Sequence, residues 1–120
     1  MAELHDTGKK GEALAVAHLQ KHGYQVLETN WRKGSLEVDI IAKKEDILVI
    51  AEVKTRRTSY FGEPEEFVTR AKQKNLIRAA NLYININNLD LETRFDIISV
   101  LMNEDQHKLH HIEDAFYPTL

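Results

Sequence analysis

Two pairs of charged side chains near the middle of the chain have a spacing that suits chemistry. Glu37 and Asp39 lie two residues apart, and so do Glu52 and Lys54. Residues two apart on a β-strand point to the same face, about 6.6 Å from each other. Carboxylate oxygens are the ligands that Mg²⁺ prefers, and an ammonium beside them can orient water and offset negative charge on a reacting phosphate. The spacing therefore indicates metal-assisted chemistry on a phosphate ester.

The segments that carry these pairs have the composition of β-strands joined by a polar turn. Residues 36–42 and 47–53 are rich in Val, Ile and Ala, and residues 43–46 are all charged. Two such runs with a short polar connection are typical of a β-hairpin.

A hairpin would bring the two pairs together. With the turn centred on residues 44 and 45, Glu37 faces Glu52, and Asp39 lies diagonal to Glu52 within about 7–8 Å. Charges inside apolar strands are costly unless they are paired or bind a metal. We therefore expect Glu37, Asp39, Glu52 and Lys54 to share one face of the hairpin, where the three carboxylates form a site for Mg²⁺.

The rest of the pattern predicts two helices and further strands around this hairpin. Glu12 lies on the same helical stripe as Val16 and Leu19, so its carboxylate is expected to point toward the sheet. The predicted elements are a helix over 7–22, strands over 24–28, 36–42 and 47–53, a helix over 64–84, and strands over 95–102 and 109–116. The order α-β-β-β-α-β-β predicts one α/β domain over residues 1–120, with helices packed against a central mixed sheet.

The composition excludes several classes of protein. Of 120 residues, 42% are hydrophobic and 29% are charged, which is typical of a folded domain rather than a disordered chain. The sequence has no cysteine, which excludes disulfides, thiolate zinc sites and cysteine nucleophiles. It has no apolar run near the roughly 18 residues of a membrane span, and its first residues lack the profile of a signal peptide. We therefore expect a cytoplasmic protein with no membrane partner.

The net charge of −3 hides an uneven distribution of charge. Residues 54–78 carry seven Lys or Arg and three Asp or Glu, whereas residues 85–120 carry two and seven. Proteins that bind nucleic acid neutralise its phosphates with clustered Lys and Arg. We therefore expect any contact with nucleic acid to be made by the central segment.

These features resemble the YraN-like family of small bacterial proteins, over about residues 8 to 100. The resemblance includes the stretch from Glu37 to Ala42 and the stretch from Glu52 to Arg56. Further residues that carry it are Gly8, Gly11, Glu12, Gly23, Tyr24, Asn30, Gly62, Val68, Lys72, Gln73, Ala79, Ala80, Arg94, Phe95 and Asp96. The family is similar to a minimal restriction-endonuclease-like fold of the PD-(D/E)xK class, akin to archaeal Holliday-junction resolvases.

The resemblance implies roles for four residues. Asp39 and Glu52 would be metal ligands, Lys54 the catalytic lysine and Glu12 an acid supplied by a helix. The implied metal is Mg²⁺, with Mn²⁺ as a substitute. Leu36 stands where the family usually has a glycine before Glu37, which removes no ligand. Val38 stands where the name of the class has a proline, as is common in the family.

Residues around this site are expected to contact the nucleic-acid backbone. They are Arg56 and Arg57, which follow the second motif, and Lys72 and Gln73 on the second helix. Such contacts position a strand without reading its sequence. A homodimer is compatible with the sequence, since junction resolvases act as dimers on two strands.

The sequence thus predicts a Mg²⁺-dependent endonuclease that hydrolyses phosphodiesters in DNA, including branched or structured DNA. The alternative is a non-catalytic nucleic-acid-binding module that assists a partner in DNA repair, recombination or uptake. A third interpretation, a plain interaction protein, predicts neither metal binding nor DNA affinity that depends on salt.

Overall fold

Seven elements follow one another in the predicted order. The computed structural model describes residues 2–57, 68–103 and 106–118, and for residues 2–7 it describes the backbone alone. The elements are α1 (Ala2–Lys21), β1 (Gln25–Lys33), β2 (Leu36–Lys44), β3 (Ile47–Arg57), α2 (Arg70–Asn87), β4 (Glu92–Met102) and β5 (His107–Phe116). The α/β class and the order α-β-β-β-α-β-β are confirmed. Within the described ranges, no helix has both the length and the apolar character that crossing a bilayer requires.

The five strands form one mixed sheet in the order β1-β2-β3-β4-β5. Strands β3 and β4 are parallel, and the other neighbouring pairs are antiparallel. Parallel neighbours need a crossover connection, which here includes α2. The central strand β3 is covered on both faces. Its first five residues are apolar, and its charged residues begin at Glu52.

Each face of the sheet carries its own hydrophobic core. Alternate residues of β3 supply the two cores, because side chains along a strand point to opposite faces. Val49 and Ala51 pack beneath α1 with its Ala15 and Leu19. Those on the other face, such as Ile50, pack beneath α2, whose own core residues are Leu76, Ala79, Ala80 and Tyr83. The two helices therefore approach the same central strand from opposite sides.

The hairpin between β2 and β3 differs from the prediction in register. The turn consists of Glu45 and Asp46, so Lys44 pairs with Ile47 and Ile40 pairs with Ala51. The predicted turn centre was wrong by one residue, and Asp39 rather than Glu37 lies at the level of Glu52. Because both strands are apolar on both faces, their pattern does not fix the register, and the turn decides it.

Helix α1 lies unusually close to the end of β3. A Cβ built on Gly11 would overlap Thr55 Oγ1 and lie 2.8 Å from Thr55 Cγ2. Only glycine leaves room for this contact, which places the next residue, Glu12, against the sheet.

The start of α2 is fixed by local hydrogen bonds. The Thr69 hydroxyl accepts from the Lys72 backbone N–H at 3.1 Å, as an N-cap does. The Gln73 side chain donates to the Val68 carbonyl at 2.9 Å. The predicted start of this helix at Pro64 lies outside the described residues, but the prediction was wrong for Val68 and Thr69, which precede the helix.

A buried polar network ties β4 to β5. The Asp96 carboxylate is fully buried and accepts from Arg94 at 2.8 Å and from His111 Nε2 at 2.7 Å. Arg94 also donates to the Tyr24 hydroxyl. Burial acts to raise the pKa of Asp96, but hydrogen bonds from His111, Arg94 and the Asp114 backbone N–H, together with the charge of Arg94, hold that pKa below its ordinary value. The pair Arg94–Asp96 is thus structural.

We predict that Gly11→Ala lowers the free energy of unfolding by about 1–3 kcal/mol, because the added methyl pushes α1 away from Thr55. Gly8→Ala is the matched control: a Cβ at Gly8 meets nothing within 4 Å, so this variant is expected to gain up to about 1 kcal/mol from helix propensity. Urea denaturation of both variants checks this, and equal effects of the two substitutions would contradict the close contact. Thr55→Ala is expected to restore part of the loss in the Gly11→Ala background.

Candidate active site

The candidate site lies where β2 and β3 separate. Their pairing ends at Ile40 and Ala51. The next residue of β2, Asp39, turns its carboxylate toward the neighbouring strand, where it accepts the Val53 backbone N–H at 2.8 Å. The carboxylate therefore takes the place of a backbone acceptor in the sheet.

The side chains of β2 change their alternation at Asp39. Ile41 packs in the core beneath α2, and Ile40 packs in the core beneath α1. Strict alternation would send Val38 to the side of Ile40, yet Val38 packs beneath α2. On β1, Asn30 lies opposite this point and adopts the left-handed backbone conformation, with φ 53°. The irregular backbone at Asp39 on β2 thus has a counterpart at Asn30 on β1.

Glu52 is the buried acid of the site. Its side chain is 7% exposed, and Lys54 Nζ lies 3.9 Å from its Oε2. Lys72 Nζ, reaching down from α2, lies 3.4 Å from the same oxygen. Burying an unpaired carboxylate is unfavourable in free energy, and the two ammonium groups offset this cost for Glu52.

The pKa of Asp39 is affected by the neighbouring acids. Burial, then the charge of Glu52 and, more weakly, that of Glu12 raise the pKa of Asp39 to about 7, although the Val53 N–H and Lys72 act in the opposite direction. Charges act on a pKa in this way only from nearby, so Glu52 and Glu12 lie near Asp39. Three predicted residues, Glu12, Asp39 and Glu52, are thus brought into one electrostatic cluster.

Glu12 is held in place from β1. Asn30 Nδ2 donates to Glu12 Oε1 at 3.0 Å. Asn is among the few residues that tolerate the left-handed conformation found here. Asn30 belongs to the pattern that suggested the family, but a single asparagine within a strand gave no indication of this role.

Glu37 has a different environment from the other predicted ligands. Its side chain is 51% exposed, and its Oε2 lies 3.0 Å from Arg32 Nη2. The prediction that Glu37 shares a face with Glu52 was wrong, because the alternation of side chains along β2 changes between Glu37 and Ile40. Glu37 instead lines an open cleft of about 390 Å³, and the cleft residues are Asn30, Arg32, Glu37, Val38 and Asp39.

The carboxylate oxygens of Asp39, Glu52 and Glu12 are suitable ligands for a hard divalent cation. Within the described parts of the chain, no three acidic or histidine side chains are already arranged as a metal site. The oxygen donors of Asp39, Glu52 and Glu12 are nevertheless of the type that Mg²⁺ takes, and their mutual repulsion is what a cation would relieve.

The residues predicted to contact nucleic acid lie in three different settings. Arg56 and Arg57 are exposed at the end of β3, beyond the acids. Lys72 is half-buried and contacts Glu52. Gln73 is bonded to the chain just before α2, where it supports the start of that helix.

Fold and site together define a mixed α/β protein with an acidic cluster at a break in its sheet. The model of Uncharacterised protein family UPF0102 matches residues 11–100, a range that includes every candidate site residue. A UPF0102 protein of Flavobacterium psychrophilum is 56% identical over 117 residues, covering 98% of each chain. Another, of Bacteroides thetaiotaomicron, is 48% identical over 120 residues, covering 100% of this chain and 99% of its own. The chain therefore belongs to the UPF0102 family, and the YraN-like resemblance is confirmed.

The raised pKa of Asp39 predicts a specific dependence of stability on pH. The folded protein retains a proton that the unfolded chain releases near pH 3.8, so the free energy of unfolding falls as the pH rises from 3.8 to about 7 and then levels off. Asp39→Asn removes this titration and should gain on the order of 1–3 kcal/mol relative to the unsubstituted protein across that interval.

Urea denaturation at several pH values, without divalent cations, measures this difference. Glu37→Gln is the control, since it removes an exposed carboxylate from the same strand. If the free energy of unfolding of Asp39→Asn changes with pH in parallel with that of the unsubstituted protein, the pKa of Asp39 is not raised in the folded protein.

Proposed function

We propose that this UPF0102 protein is a Mg²⁺-dependent phosphodiesterase that cuts DNA, in the manner of an endonuclease selective for branched or structured DNA. One observation carries the proposal: the half-buried Asp39 and the buried Glu52 repel each other at a break in the sheet, and the ammonium of Lys54 lies beside Glu52. The partners that these acids have in the protein offset the repulsion only in part, since the pKa of Asp39 stays raised to about 7. Perturbed acids of this kind cluster at functional sites.

Asp39 and Glu52, with Glu12 from α1, would hold the cation. When bound, Mg²⁺ supplies positive charge that stabilises the phosphoryl group in the transition state. The carboxylates fix its place relative to the strand end, and Asn30 keeps the Glu12 carboxylate directed into the cluster.

Lys54 is suited to act on the reacting phosphate. Its side chain is 33% exposed, and its ammonium lies 3.9 Å from Glu52, so it borders both the acids and solvent. As a donor it would orient the attacking water and offset charge on the phosphate oxygens. Water attacks phosphorus in line with the 3′-oxygen, whose bond to phosphorus breaks, leaving a 5′-phosphate and a 3′-hydroxyl.

The basic residues near the site support a nucleic-acid substrate. Arg56 and Arg57 extend the same strand beyond Lys54 and are exposed. Exposed guanidinium groups beside a phosphate-cleaving centre would hold the backbone on either side of the cut bond. Because these contacts are few, binding should be weak and strongly dependent on salt.

We expect branched or single-stranded DNA to be cut in Mg²⁺ or Mn²⁺, and Asp39→Asn and Lys54→Ala each to lower the rate at least about 100-fold, because each loses transition-state stabilisation. Gel analysis of labelled DNA measures this. Glu37→Gln is the matched control, because its carboxylate pairs with Arg32, and it should keep activity within about threefold. Undiminished cleavage in Lys54→Ala would contradict the site assignment.

A non-catalytic nucleic-acid-binding module is the second candidate. The observation in its favour is that both ammonium groups already satisfy Glu52 without a cation. It predicts DNA binding with a steep salt dependence and no cleavage of any DNA form in either metal. That result in the same assays would replace the endonuclease by the binding module.

A further inference from the structure

Lys72 occupies a position in α2 where its charge is unfavourable. It is the third residue of a helix whose first turn contains no acidic residue. The amino end of a helix carries partial positive charge, and a carboxylate rather than an ammonium is preferred there. Local helix chemistry therefore gives no reason for a lysine at this position.

The charge of Lys72 is satisfied by the sheet. Its Nζ lies 3.4 Å from Glu52 Oε2, closer than Lys54 Nζ at 3.9 Å. The bond from the Lys72 backbone N–H to Thr69 fixes the base of the side chain. Burial leaves Glu52 only 7% exposed, so its charge requires a partner in any state of the protein.

The carboxylate that Lys72 contacts, Glu52, is also a proposed ligand of the cation. The Lys72 side chain is 40% exposed and its ammonium sits on a flexible four-carbon stem, so it can leave Glu52 without movement of the helix. An ammonium and a divalent ion on one carboxylate repel each other. Binding of the ion therefore favours movement of Lys72, the closer of the two ammonium groups, away from Glu52.

We infer that Lys72 is an internal competitor for the cation: its ammonium occupies Glu52 in the metal-free protein and is displaced when a divalent ion binds. The inference rests on the proposed metal-dependent function and adds a residue that regulates the binding of the metal. Cation affinity is set below what the acids alone would give, and the buried Glu52 is never left uncompensated.

The experiment measures Mn²⁺ binding to the whole chain by electron paramagnetic resonance of the free ion, without nucleic acid. Removing the competitor should tighten binding, so Lys72→Gln is expected to lower the Kd at least about threefold. Lys74→Gln is the matched control: it removes the same charge from an exposed position in the same turn of the helix and should change the Kd less than twofold. Lys72→Arg keeps the charge and should bind no more tightly than the unsubstituted protein.

A second readout separates competition from a purely structural ion pair. In the metal-free state Lys72→Gln should unfold at a lower temperature than Lys74→Gln, and saturating Mn²⁺ should remove that difference. A Kd that is unchanged or weaker in Lys72→Gln overturns the inference and leaves the proposed function standing. Failure of all forms to bind Mn²⁺ overturns both.

Discussion

The structure depends on the placement of negative charge in the middle of its sheet. Glu52 lies on β3, the strand that both helices cover, and Asp39 lies beside it where β2 departs. Glu52 is buried and Asp39 is half-buried, so each requires partners from the protein. Asp39 uses the backbone of Val53 and Glu52 uses two lysines, and even then the pKa of Asp39 stays raised.

The helices serve this requirement from opposite faces. Helix α1 approaches closely because Gly11 leaves room against Thr55, and this brings Glu12 to the break in the sheet. Helix α2 starts at Thr69, so Lys72 in its first turn reaches Glu52 from the other side. The gap between β2 and β3 is thus where one helix adds negative charge and the other adds positive charge.

Much of this arrangement could be predicted from the sequence, and the exceptions have physical causes. Apolar runs and polar turns determine the element order, and the two-residue spacing of Glu52 and Lys54 determines that they share a face. The register of the hairpin could not be predicted, since strands that are apolar on both faces pair equally well in more than one way. Glu37 lies away from the other acids because the alternation of side chains along β2 changes at Asp39. A sequence pattern with a period of two residues cannot reveal such a change. Asn30 was missed because its function depends on a backbone conformation rather than on its residue type.

If the repelling acids at the break in the sheet form a cation site, calorimetric titration of the metal-free protein with Mg²⁺ should show one saturable binding event. That event should be lost or weakened at least about tenfold in Glu52→Gln and retained in Glu37→Gln. Equal binding in Glu52→Gln and the unsubstituted protein, or binding lost only in Glu37→Gln, would contradict it.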